Sequence, residues 1–220
     1  MTVSDLIQRV EELSQQAQMM SDVRIINALN RGYQYMARST YGLRDIWSKA
    51  TLADDHKITL PRYILTLLTT TWEPAGGTPS VVSTKFWTDA ASLFGSRELQ
   101  EPQATSGTPR FLITYGNTKA VLYPKPTVIG TLKGTSAMIP SAEAGNPFPA
   151  LSALIDEPKI PDDTHDSLAY HAAMEISATN PATLNLAQAF KAERDAFIRG
   201  IVNQQDDLPM EPVRLQPFLL

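Results

Sequence analysis

The chain has 220 residues, 43% hydrophobic and 19% charged, as in an ordinary globular protein with room for one large domain or a core with appendages. Its formal net charge of −4 lacks the positive footprint needed to coat nucleic acid, although a local basic stripe is compatible with it. With no cysteine and only three histidines (His56, His165, His171), no disulfide framework, thiolate zinc site or cysteine nucleophile is available, and little remains for any metal site.

The opening "MTVSDLIQRVEELSQQ" becomes charged too soon for a secretory signal. The longest apolar stretch, "YILTLLTTTW", is too short and too threonine-rich to span a bilayer. The expectation is a soluble protein suited to a reducing cytosol, with no membrane partner.

The first forty residues predict two helices. Thr2 and Ser4 offer N-cap oxygens, and Val3, Leu6, Ile7, Val10, Leu13 and Ala17 form one apolar stripe, opposite Asp5, Gln8, Glu12 and Gln16. Ser21 or Asp22 caps the second helix, where Ile25, Ile26, Leu29, Gly32, Tyr33, Met36 and Ala37 share an arc. Its other side carries Arg24, Arg31 and Arg38 at a spacing of seven.

From about residue 44 the periodicity turns from helical to alternating. "DIWSKATLADDHKITLP" reads as a hairpin with Asp54, Asp55 and His56 in its turn, and "PRFLITYGNTKAVLYPKP" as a second hairpin around Gly116-Asn117. "TVIGTLKGTSAMI" predicts a further strand with Val128, Leu132 and Met138 on one face. Residues 72–108 are loop-like around a short element at "KFWTDAASLF", and residues 140–160 form a proline-broken connection.

Two helices then return. Pro161 and the acids Asp162, Asp163 and Asp166 suit a helix N-terminus, and Asn180-Pro181 ends that helix and starts the next. Leu186, Ala187, Phe190, Phe197, Ile198 and Ile201 predict the last helix's buried face, with Lys191, Asp195 and Arg199 as an exposed ladder. The end, "QQDDLPMEPVRLQPFLL", has neither period and holds three prolines among apolar residues.

The fold class expected is α+β. A bundle of about four helices comes from both ends of the chain (1–43 and 161–203). A β-rich insertion with hairpins and long loops occupies 44–160, and an extended C-terminal arm occupies 204–220.

Asp163, Ser167, His171 and Glu175, each four residues after the last, place an acid, a serine and a histidine on one helical stripe. At 100° per residue, Leu168, Ala172 and Ile176 form a separate core-facing stripe, so the polar stripe is expected to face solvent or another subunit. Tyr170 and Met174 add apolar groups on a further side, as in a helix sandwiched between neighbours. No Gly-x-Ser-x-Gly elbow, P-loop or GxGxxG appears, so no catalytic residue, metal ligand or cofactor is assigned.

The stripe Arg24, Arg31 and Arg38 is either a solvated face or an inter-subunit surface. Arginine pairs bidentately with carboxylates, and Glu12, Asp163 and Glu175 of a neighbouring copy are candidates. The tail is the stronger hint. Leaving Leu208, Met210, Val213, Leu215, Phe218, Leu219 and Leu220 in water forgoes about 1.5–3 kcal/mol for each large side chain that could be buried. The segment therefore either packs back on its own domain or is an arm that docks into a partner.

Several phrases resemble the head-to-tail adaptor (connector, or neck) proteins of tailed bacteriophages. They are "SDVRIINALNRGYQYMAR" after a first helix, "KITLPRYILTLLTTTW" as a Leu-Pro turn into a strand, "GTPRFLITYGNTKAVLYPKP" as a hairpin ending in Pro-x-Pro, and "EPKIPDDTHDSLAYHAAMEISA" as the return helix. The resemblance implies a non-enzymatic virion protein: a homo-oligomeric ring, dodecameric in expectation, beneath the portal protein and joined to a tail, nozzle or tube protein. Genomic DNA would pass through its channel without sequence-specific binding, and residues 204–220 would grip the portal.

Tail terminator or gatekeeper rings share these features and form the alternative. A virion-associated cell-wall hydrolase using Glu175 or Asp163 near His171 is the rival from another class. It needs two carboxyl groups flanking a cleft, which one stripe does not supply.

Overall fold

The computed structural model describes residues 1–94, 105–115 and 118–206. The protein is mixed α+β, and the chain divides into two compact units, one made of Met1–Leu43 with the chain from Ile139 onward, the other of Arg44–Met138. The described helices are α1 (Val3–Leu13), α2 (Asp22–Thr40), α3 (Trp87–Phe94), α4 (His165–Ser177) and α5 (Leu184–Asp206).

The first unit holds α1, α2, α4 and α5. Thr2 caps α1 in a reciprocal box: its hydroxyl accepts from the Asp5 N–H, and the Asp5 carboxylate accepts from the Thr2 N–H at 2.8 Å. Val3, Leu6, Ile7 and Val10 are buried as the stripe predicts, while Ala17 enters the core from a short 3₁₀ turn after the helix. Helix α2 ends at Tyr41, whose left-handed backbone (φ 50°) closes the helix with an N–H bond to the Ala37 carbonyl.

Helix α4 is the centre of this unit. Leu168, Ala169, Ala172, Ala173 and Ile176 are buried, as are His165, Ser167, His171 and Ser177, so the helix is covered on nearly every side. Its direction relative to its neighbours follows from side-chain pairs. Arg9 meets Asp166 at 3.4 Å and Ser14 meets Ser177 at 3.4 Å, which makes α1 parallel to α4. Arg31 meets Glu175 and Gly32 lies against His171, which makes α2 antiparallel to it. Small residues allow this proximity: a Cβ added to Gly32 would come within 3.0 Å of the His171 Cβ.

Residues 139–160 strap this unit. Asn30 exchanges two 2.8 Å bonds with the Leu151 backbone, Gln34 donates to the Pro140 carbonyl, and the Lys159 N–H donates to the Tyr33 hydroxyl. Burial of the Tyr33 phenol, opposed only weakly by that bond, pushes its pKa up to about 12. Carbonyls of Leu154 and Asp156 accept from the free N–H groups of Ser4 and Val3 at the α1 N-terminus.

The second unit is built on two sheets and a short ribbon. Its strands are β1 (Arg44–Thr51), β2 (Lys57–Thr59), β3 (Ile64–Leu67), β4 (Thr71–Pro74), β5 (Ser80–Val81), β6 (Ser83–Phe86), β7 (Ser106–Gly107), β8 (Phe111–Thr114), β9 (Lys119–Tyr123), β10 (Lys125–Pro126) and β11 (Gly130–Met138). One sheet runs β1-β11-β4-β5, with β3 also on β11. The other runs β2-β9-β8-β6, and β10 pairs in parallel with β7. Gly134 of β11 is required by packing, because a Cβ there would overlap the Thr69 carbonyl.

Several expectations are corrected here. The strands of "DIWSKATLADDHKITLP" form, but not as a hairpin: β1 pairs with β11 and β2 with β9. The connection is instead a corner, with Asp54 at φ 62°, its N–H bonded to the Pro126 carbonyl and its carboxylate 3.0 Å from Lys125 Nζ. Val128 precedes β11 and is exposed, whereas Leu132 and Met138 are buried. The β8–β9 pair forms, with Leu112 opposite Leu122 and the Tyr115 N–H bonded to the Lys119 carbonyl, and its turn at Gly116-Asn117 lies outside the described residues. "KFWTDAASLF" becomes the end of β6 followed by α3.

Candidate functional site

The polar stripe divides: Asp163 lies in the turn ahead of α4 and is exposed, whereas the middle of the stripe does not face solvent. Ser167 and His171 are buried, because α4 is enclosed by α1, α2 and α5 and the apolar groups do not mark its only covered side. The Ser167 hydroxyl donates to the Thr164 carbonyl at 2.6 Å, one turn back in its own chain. Asp163 and Glu175 are twelve positions apart, on the order of 18 Å along a helix axis, wider than the carboxyl separation of either glycosidase geometry.

His171 instead centres an inter-helix network. Arg194 Nη1 lies 3.2 Å from His171 Nδ1, and His171 Nε2 lies 3.2 Å from Glu175 Oε1. A guanidinium only donates, so Nδ1 accepts, and the ring hydrogen assigned to Nε2 donates to Glu175. Glu175 Oε2 accepts from Arg31 Nε and Nη2 at 2.7 and 2.6 Å. Arg194 also donates to Asp195 Oδ1 through Nε and Nη2, at 2.9 and 2.6 Å, and its Cζ sits 4.3 Å above the Tyr35 ring.

The electrostatics follow from this geometry. Burial pushes the Glu175 carboxyl up, but hydrogen bonds from His171 and Arg31, with the Arg31 charge, outweigh it and hold the pKa at about 2. The hydrogen bond to Glu175 likewise raises the Arg31 guanidinium above its ordinary value. Arg194 is buried, and the sequence reading missed it. Its signal was position: Phe190, Arg194 and Phe197 fall at i, i+4 and i+7 on the packing face of α5. Asp195, expected in a ladder with Lys191, is bonded to Arg194 instead.

The expected inter-subunit arginines divide. Arg31 pairs with Glu175 of its own chain, while Arg24 and Arg38 are exposed and form no ion pair among the described residues. Glu12 is likewise engaged in its own chain, by Arg9 at 3.2 Å. Helix α5 runs to Asp206, so the first positions of the expected arm, 204–206, are helical. Leu208, Met210, Val213, Leu215, Phe218, Leu219 and Leu220 lie outside the described residues. Among the described residues, no group of three or more His, Asp or Glu side chains could hold a metal ion, and no helix is long and apolar enough to cross a membrane.

No curated protein matches the sequence. The model of the SU10 adaptor protein family matches residues 1–216, nearly the whole chain. Because that match spans nearly the whole chain, the chain belongs to the SU10 adaptor protein family, consistent with a phage head-tail adaptor.

Proposed function

We propose that the chain is a virion structural protein of the head–tail junction. Copies would form a ring, with twelve the number implied by the resemblance, beneath the portal protein and above a tail, nozzle or tube protein. Genomic DNA would pass through the channel without sequence-specific contact, and the ring would assemble in the host cytoplasm before joining the virion. The observation that carries this reading is the adaptor family match over residues 1–216. The net charge of −4 supports a channel wall that does not grip the duplex.

In this reading the helices from both ends of the chain form a bundle, with the β-rich segment inserted between them and available for contact with the tail. The apolar C-terminal segment, Leu208, Met210, Val213, Leu215, Phe218, Leu219 and Leu220, docks on the portal, and the Arg24 and Arg38 face meets acidic groups of a neighbouring copy.

The test is truncation after Asp206 with portal co-sedimentation as the readout. The truncated chain should keep its helical circular dichroism and lose portal binding. Undiminished portal binding would remove the arm from the account.

A further inference from the structure

The helical unit carries an apolar group at each of two opposite ends. At the end where α1 and α4 begin, the loop 152–156 presents Leu154 and Ile155, with Ile155 84% exposed. This loop is held in shape. The Asp156 carboxylate accepts from the N–H groups of Ser152 and Ala153 at 2.7 Å each and from the Ser152 hydroxyl at 3.1 Å. Carbonyls of Leu154 and Asp156 are bonded to the α1 N-terminus. A fixed loop that holds a large apolar side chain in water has the form of an interface anchor, because it loses little conformational freedom on docking.

At the opposite end, α1 and α4 finish together at Ser14 and Ser177, and the Thr183 hydroxyl just ahead of α5 donates to the Ser177 carbonyl at 2.6 Å. Here Met19 (85% exposed) and Val23 (66%) stand at the entry to α2, and Leu184 and Leu186 stand in the first turn of α5. The helices between the two ends put them roughly 20 Å apart.

Charge distinguishes the ends as well. The loop end carries Glu157 and Asp163, exposed and without an ion pair among the described residues. The other end carries exposed Arg24, equally without one; Asp22 beside it lies at the N-terminus of α2, where the helix dipole favours an acid.

We propose that Leu154 and Ile155 of one copy dock on the Met19, Val23, Leu184 and Leu186 end of a second copy, with Arg24 of the second facing Glu157 and Asp163 of the first. Two different patches that complete each other across copies make a heterologous contact, which closes into a ring when its rotation permits. This deepens the adaptor reading by naming the subunit interface of the ring, and it rests on that reading for closure.

Absence of cysteine from the chain makes the test clean. The full chain carrying Ile155→Cys and Val23→Cys is oxidised, both alone at high concentration and after mixing with portal, and run without reductant. A second form carries Ile155→Cys with Met19→Cys. At least one double variant should give a ladder of disulfide-linked dimers, trimers and higher species, while each single-cysteine variant gives none. Ile155→Asp should weaken self-association by about tenfold or more, the loss expected of a central anchor.

No ladder from either double variant in either sample overturns the proposal. Equally abundant dimers from Ile155→Cys alone overturn it too, because they reveal a two-fold contact. Portal recruitment is measured in the same samples: recruitment without a ladder removes this interface and leaves the adaptor reading standing, whereas failure of recruitment counts against the adaptor reading itself.

Discussion

Glu175 is the residue at which the chemistry of the helical unit is most measurable. Its carboxyl is held at about 2 in the folded protein, against an ordinary value of 4.5. A depressed carboxyl contributes stability that is complete above the unfolded value and is lost as pH falls through the folded one. The window is therefore about pH 5 down to 2, and the shift corresponds to up to about 3 kcal/mol. In urea titrations, Glu175→Gln should be less stable than the wild type near neutrality, with the difference closing as pH falls across that window. A difference independent of pH would mean that the carboxylate is not paired as described.

Arg194 is the complementary case. Its removal leaves His171 Nδ1 and part of Asp195 without their donor inside a packed interface. Arg194→Ala should cost about 2–4 kcal/mol by denaturant unfolding. Arg194→Lys should recover little of it, because an ammonium can neither fork onto Asp195 nor stack on Tyr35 in the same way. Neither arginine partner of the His171–Glu175 pair was legible as such in the sequence. The spacing showed which residues share a helical face, but not which neighbour would cover that face. Arg31 was read as part of a face that is either solvated or turned toward another copy, with Glu175 of that copy among its candidate partners, and Arg194 was not singled out at all.

At the scale of the element, the helices were the most legible part and strand pairing the least. Periodicity located α1, α2, α4 and α5 because a stripe at 3.6 residues is a local property. Pairing is not local. The alternation in "DIWSKATLADDHKITLP" correctly marked two strands, but their partners, β11 and β9, lie roughly eighty to ninety and roughly sixty residues further on, and a sharp corner at Asp54 imitates a hairpin turn. The polar side of α4 was misread for a related reason: a central helix has several covered faces, and alanines mark one of them as well as leucines do.

Gly32 tests the closeness of α2 and α4. In a free helix, Gly→Ala stabilises by about 1 kcal/mol. Here the new Cβ meets the His171 Cβ at 3.0 Å, and His171 is fixed at both ring nitrogens, so it cannot move aside without losing a bond. Gly32→Ala should therefore be net destabilising, by about 1 kcal/mol, in thermal or urea unfolding. A stabilised variant would show that the interface relaxes more freely than its packing indicates.

At the scale of the whole molecule, the two units have different chemical characters. The helical unit is tied by long-range polar bonds, including those of the 139–160 strap, while the β-rich unit buries apolar strand faces, with Leu112 and Ile113 fully covered on opposite sides of β8. The family match points to a structural adaptor. The overall class was readable from the order of periodicities. What escaped the sequence was the strapping of 139–160 onto α1 and α2, which depends on single side chains such as Asn30 and Tyr33 meeting backbone more than a hundred residues away.

The most direct measurement is the mass of the purified full-length chain by light scattering, alone and then mixed with the cognate portal. The adaptor account expects either a closed ring of the free protein or a monomer recruited onto the portal at one copy per portal subunit, about twelve per portal ring. A chain that stays monomeric and leaves the portal's mass unchanged at micromolar concentration would contradict it.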